Sequence, residues 1–396
     1  MINKSTCVFT FTLIVFSLSI PVLGQVQQFT LFHNTSEEIK EQFSGFIVNG
    51  DTIKEGKYKY YLPGGVINQE GSFINNNPEG MWRLFYESGE LHQKIEFKEG
   101  IRHGSYKAYY HDGSLQQEGN YVDGELHGEF ISYYSDGKVE SISNYSKGIQ
   151  YGLKKIFYPN GNLYRKYELQ DAVESGIWQM YHENGNINYN GYKRQGQFFD
   201  TLKVYHDNGI LQRVAYYENG VIEGYYRAYH SNGELHVEAF YEGGVLNGYF
   251  KEYFINGQLL QEGIYSDNRK EGMWRSYYTD GSLHAVGNFT NDHLSGYWKV
   301  YHSNGNLKQE GNFIESKPEG FWKLYYNNGK IKSYGKYQRG LKQGLWLNHM
   351  HIGGIETAII SLYENNITIA SYIGIEEAKE KSVLLYIIGM PYIIYN

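Results

Sequence analysis

Thiols are almost missing from this chain. Cys7 is the one cysteine among 396 residues, and it sits at the start of an apolar run from Val8 to Ile20. A lipoprotein cysteine stands at the end of such a run, so lipidation is excluded. Without residues 1–24 the chain has no cysteine, which excludes disulfides and thiol chemistry. The Val8–Ile20 run is too short for a comfortable membrane span. An excess of basic charge is also missing. The formal net charge is −7, and removing Lys4 with the N-terminal segment makes it about −8. That acidity argues against phosphate backbones, so no nucleic-acid partner is expected. Aliphatic residues are sparse beside 41 tyrosines and 47 glycines, so the chain does not pack an ordinary Leu/Ile/Val core. No Gly-rich phosphate loop stands at a strand-to-helix junction, and no Ser/His/Asp arrangement is readable. Neither an enzyme nor a cofactor is expected.

What is present begins with an export signal. Lys4 precedes the apolar run, and Pro21-Val22-Leu23-Gly24 follows it, which suits cleavage before Gln25. An uncleaved anchor is the alternative. Export without disulfides points to a bacterial periplasm, cell envelope or secreted location.

Beyond this segment the sequence is periodic. Thirteen glycines, from Gly65 to Gly353, recur every 24 residues without slippage. A period of this size is the signature of a repeat array. Asp112-Gly113, Asn184-Gly185, Asn232-Gly233 and their equivalents lie between β-rich runs. The expectation is a β-hairpin per unit, turned by a two-residue type I′ loop with positive φ at both positions. This register pairs Tyr110 with Leu115, Lys107 with Glu118, Tyr106 with Gly119 and Gly104 with Tyr121. Alternation then sorts two faces. Face one carries Gly104, Tyr106, Tyr110, Leu115, Gly119 and Tyr121, with aromatic rings laid across glycines; Trp274 faces Gly287 and Trp298 faces Gly311. Face two carries Lys107, Tyr109 and Glu118.

The expected fold is all-β: an elongated, twisted or coiled single-layer sheet of about twelve antiparallel hairpins over residues 56–343. Residues 1–24 are the signal, 25–55 an N-terminal cap, and 344–396 a degenerate repeat with a C-terminal cap, including a short helix over 375–381. Residues 152–200 follow the pattern least: Asp200 replaces a glycine, and Lys154 and Leu202 replace aromatics. That stretch is either drift or a bend or specialised contact.

His182, His206 and His230 fill one slot of three consecutive units, which raises metal binding. Equivalent slots of neighbouring hairpins lie two strands, about 9.5 Å, apart. One zinc ion binds each ligand at about 2 Å, so these residues read as lining aromatics and no metal is expected. The remaining candidate is an aromatic row on face two, complete in all twelve units, with Tyr181, Tyr205, Tyr229, Tyr253, Tyr277 and Tyr301 at its centre. It reads either as rings that cover the sheet or as a platform for an extended ligand.

The unit Gly-x-aromatic-x-x-Tyr-Tyr-x-Asn-Gly-x-Leu-x-x-Glu-Gly-x-Tyr-x-x-Gly resembles the MORN-repeat variant, found in bacterial proteins labelled as YwqK-type toxin–antitoxin antitoxins. The resemblance covers about three quarters of the chain. It implies a β-hairpin array that binds or scaffolds, without catalytic residues. A shorter cell-wall-binding hairpin repeat of choline-binding type is similar in its Trp, Tyr-Tyr and Gly, but lacks the Glu-Gly-x-Tyr half. The expected partner is a protein, toxin neutralisation included, or an extended glycan. Membrane contact is expected only through the tail from Val383.

Overall fold

The computed structural model describes residues 25–33, 37–352 and 355–373. The expected signal segment, the helix over 375–381 and the apolar tail lie outside them. The chain divides into two compact units, residues 1–149 and 150–396. Among the described residues there are thirty β-strands and no helix.

The first unit opens with β1 (Gln27–Phe32), β2 (Ile39–Val48) and β3 (Asp51–Tyr61), paired antiparallel in chain order. β3 runs through the boundary expected at residue 56 and pairs onward with Ile67–Ile74. Every following strand to Val139–Ser146 pairs antiparallel with its neighbours in sequence. One irregularity interrupts them: Glu125–Leu126 and Gly128–Tyr133 share the partner strand Leu115–Val122. The second unit repeats the arrangement up to Ile367–Ile373. Each unit is thus a single antiparallel layer of hairpins, as the 24-residue period requires.

The loop expected as type I′ takes another form. Gly113 N–H donates to Tyr110 O at 3.0 Å, and Tyr110 N–H donates to Ser114 O at 2.9 Å. This is a three-residue loop, a type I turn followed by one left-handed residue. Only Gly113 has positive φ, at 81°, and Asp112 does not. The reason is local: Asp112 Oδ1 accepts the Ser114 N–H at 2.9 Å, an Asx turn that holds the aspartate in the ordinary right-handed region. Tyr109, not Tyr110, therefore pairs with Leu115. A bulge beside Ala108 restores the expected register, so that Lys107 meets Glu118 and Tyr106 meets Gly119. The type I′ turns stand in the links instead. Asp123 and Gly124 have φ of 50° and 88°, and Asp267 and Asn268, at the equivalent positions of a later link, have 50° and 64°.

Face one is the core of both units. Trp82, Trp274, Trp298, Trp322 and Trp346 are buried, the last completely. In the second unit they alternate with smaller rings along the sheet. Phe289 meets Trp298 at 5.2 Å and 88°, Phe313 meets Trp322 at 4.9 Å and 83°, and Tyr337 meets Trp346 at 4.9 Å and 80°. Such edge-to-face pairs contribute about 0.5–1.5 kcal/mol each beyond their buried area. The sequence places the rings on the wrong side of their own strand. Trp298 pairs with Gly311, but its ring lies back over Gly287 of the preceding hairpin, where a Cβ would enter the ring. From there Trp298 Nε1 donates to Asn288 O at 2.9 Å. Trp274, Trp322 and Trp346 make the same bond to the residue ten positions earlier. Each indole therefore fastens two hairpins while it covers bare backbone.

Candidate functional site

Face two starts from a lattice of charge and phenol. Lys107 meets Glu118 at 2.9 Å, Arg227 meets Glu238 at 2.8 Å and Arg83 meets Glu70 at 2.9 Å. The expected aromatic row joins this lattice. All twelve of its rings are half-buried. Tyr133 donates to Glu118 at 2.6 Å and Tyr325 to Glu310 at 2.7 Å, each reaching a glutamate of the preceding hairpin. Burial, and then the Glu118 hydrogen bond and charge, push the Tyr133 phenol up to about 12. The Tyr133 and Lys107 hydrogen bonds hold the Glu118 carboxyl below its ordinary range.

The six central candidates fall in different settings. Tyr253 donates to Glu238 at 3.4 Å and Tyr277 to Glu262 at 3.0 Å. Tyr181 donates to Gln179 at 3.0 Å. Tyr205 accepts at its carbonyl from His182 at 3.1 Å, and Tyr301 from the Tyr278 hydroxyl at 2.8 Å. Tyr229 lines a shallow depression with Arg213, His230 and His236. The row thus ties hairpins together as well as facing outward.

The histidine slot has a structural use that the sequence did not show. Tyr86, Tyr110 and Tyr158 donate their hydroxyls to a carbonyl 23 residues later, and His182, His230 and His302 place Nε2 on the equivalent carbonyl. Histidine and tyrosine interchange there because both offer a donor at the same reach. His206 is the exception, its buried Nε2 having no hydrogen-bond partner.

A second row on face two escaped the sequence reading. Tyr225, Tyr249, Met273, Tyr297 and Phe321 occupy one slot of five consecutive hairpins. Tyr225 is 63%, Met273 52% and Phe321 46% exposed, and Ile264, cross-strand from Tyr249, is also exposed. Tyr225, Phe240 and Tyr249 touch one another, with ring centroids 5.5 to 6.4 Å apart. In the first unit the slot holds an exposed Met81 but then Ser105 and Glu129, so no chain-wide periodicity announces it. The signal is a run of six apolar or aromatic residues 24 apart, ending at the buried Leu345, on the strand face that also carries Arg227 and Lys299.

Eleven segments of the chain match the model of the MORN repeat variant: 54–75, 78–99, 102–123, 126–147, 150–171, 174–192, 222–242, 246–267, 270–291, 294–315 and 318–339. The chain belongs to the MORN repeat variant family. It is accordingly an all-β protein built of MORN-variant hairpin repeats. The match lapses over 193–221, where Asp200 and Leu202 depart from the MORN unit. No curated protein matches the chain. Among solved structures it is similar to a chain of a mutant Tc holotoxin pore of Photorhabdus luminescens, with 11% identity and a TM-score of 0.14, over 87% of this chain and 21% of that one. A TcdB2-TccC3 structure without its hypervariable C-terminal region gives 11% identity and a TM-score of 0.13 over the same shares. The chain therefore spans about a fifth of the length of those chains, and likeness at this level carries no functional argument.

Proposed function

We propose that this MORN-variant chain is an interaction scaffold that captures a protein partner along face two of its second unit. The observation that carries this is the five-hairpin row from Tyr225 to Phe321, exposed at every position but Tyr249, on a face otherwise laced with ion pairs. Aromatic residues and methionine are enriched at protein interfaces, where a few exposed anchors supply most of the binding energy. Ile264 and Met273 favour a protein over a glycan, because a sugar platform is built from flat rings. Toxin neutralisation would be one form of such capture. The order of charge, apolar run and small residues before Gln25 supports export of the mature chain.

The test compares the mature chain with a Tyr225→Ser, Met273→Ser, Phe321→Ser variant in pull-downs from the cell-envelope fraction of its source. Tyr225→Ser removes ring contacts with Phe240 and Tyr249, so the thermal midpoint should fall slightly, and retention is compared well below it. A partner retained by the wild type should be lost by the variant, since anchors of this kind contribute about 2 kcal/mol or more each. Equal retention by both proteins refutes the reading. Retention on oligosaccharides that strengthens with oligomer length would replace it with a glycan platform.

A further inference from the structure

Face one breaks its aromatic ladder between residues 150 and 198. Lys154 stands in the slot that Tyr106 and Phe130 fill, and Tyr167 in the slot of Gly119 and Gly287. Trp178 consequently has no bare backbone to cover, and its buried Nε1 lacks the carbonyl that Trp298 and Trp322 find. Charge has moved into the gap. The Arg165 guanidinium lies 4.2 Å from the Tyr167 ring and 5.1 Å from Trp178. Lys193 Nζ lies 5.0 Å from Trp178 and 4.9 Å from Phe198. The Glu174 carboxylate bridges the two cations, contacting Arg165 and standing 2.6 Å from Lys193.

The cluster is not balanced. Arg165 and Lys193 share the Glu174 carboxylate, and Lys154, paired by register with Tyr167 beside them, has no ion pair among the described residues. Arg165 Nε is buried without a hydrogen-bond partner. Burial and the Arg165 charge push the Lys154 ammonium below its ordinary range. A half-buried charge kept without a partner is costly. Aromatic residues in the Lys154 and Lys193 slots would remove the cost, as Tyr106 and Tyr121 do elsewhere along face one.

We propose that this cationic cluster is a separate binding site, which takes a carboxylate side chain of an acidic peptide segment. Glu174 already shows that a carboxylate fits between Arg165 and Lys193. One further carboxylate would answer the unpaired charge of Lys154 and the free Nε of Arg165, and Tyr167, Trp178 and Phe198 would flank its aliphatic stem. A phosphate dianion would be driven against Glu174. The site lies on face one and does not rest on the face-two reading.

The test uses the mature chain labelled with 15N at its tryptophan indoles. The Trp178 signal is assigned by its loss in Trp178→Phe. Capped hexaglutamate should shift this signal and leave the indoles of the other five tryptophans in place. Lys154→Phe restores the aromatic of the repeat, so it should keep or raise the thermal midpoint while binding falls about tenfold or more, the worth of a charged hydrogen bond. Lys154→Gln should show the same loss with a smaller change of shape. An unmoved Trp178 signal overturns the proposal. So does an equal shift with capped hexaglutamine, full binding by Lys154→Phe and Lys154→Gln, or displacement of the peptide by inorganic phosphate at matched ionic strength.

Discussion

At the scale of single residues, the turns show how one side chain serves two hairpins. Asn232 Oδ1 accepts the Glu234 N–H at 3.1 Å and so shapes its own loop, while Nδ2 donates to Ile255 O of the next loop at 3.0 Å. Asn160, Asn184, Asn256 and Asn304 make the same forward bond. Aspartate keeps the first function and lacks the donor for the second. Asn232→Asp should therefore retain the loop but cost about 0.5–1.5 kcal/mol in urea unfolding. The opposite gain is available at Ala172. It holds φ of 62° in a type I′ link, where alanine has neither glycine's freedom nor a polar side chain. Asn268 and Asp292 take that position elsewhere and reach back to Leu246 N at 2.9 Å and Lys270 N at 2.7 Å. Ala172→Asn should stabilise the second unit by about 1 kcal/mol, read as a raised urea midpoint at constant slope.

At the scale of elements, neighbouring hairpins are joined through ionisable pairs, so their cohesion follows pH. Glu118 has a lowered pKa in the fold, caused first by the Tyr133 hydrogen bond and then by Lys107. Its contribution is complete above the ordinary glutamate value of 4.5 and is lost as pH falls through the folded value. Tyr133 behaves in the opposite sense. Its pKa rises from 10.0 to about 12, so its contribution is complete below 10 and is lost as pH climbs toward 12. Exchange protection of the strands Leu115–Val122 and Gly128–Tyr133 should fall at both ends of the pH scale. Tyr133→Phe should flatten both limbs and cost about 1 kcal/mol at neutral pH, near the low end for a hydrogen bond to a charged group because the site is partly wet.

At the scale of the whole molecule, strands pair with their neighbours in sequence inside each unit, so damage should stay local. Gly233 has φ of 91° in its three-residue loop. A β-branched residue fits that conformation poorly, and Gly233→Val should strain the loop by about 1–3 kcal/mol. Hydrogen exchange should then rise over residues 224–247 and change little in the hairpins beyond. Uniform loss of protection would instead mark one cooperative unit.

The period, the hairpins, the pairing of Lys107 with Glu118 and of Trp298 with Gly311, and the split into two faces were all determined by the sequence alone. Each depends on spacing and on the two-residue alternation of a strand, which are local. The turn types were not, because Asp112 and Asn232 spend their side chains on the loop and, for asparagine, on the next hairpin. The direction of each tryptophan ring was decided between hairpins, by which glycine leaves room and which carbonyl stands free to accept. Exposure was decided there as well. Tyr253 and Tyr225 are both tyrosines on face two, but Tyr253 reaches a glutamate of the preceding hairpin and is half covered. Tyr225 rests only against Phe240 and Tyr249 and stays open to a partner. The cationic cluster is legible in retrospect as three departures, Lys154, Tyr167 and Lys193. Only the packed sheet shows that they meet around Glu174 and Trp178.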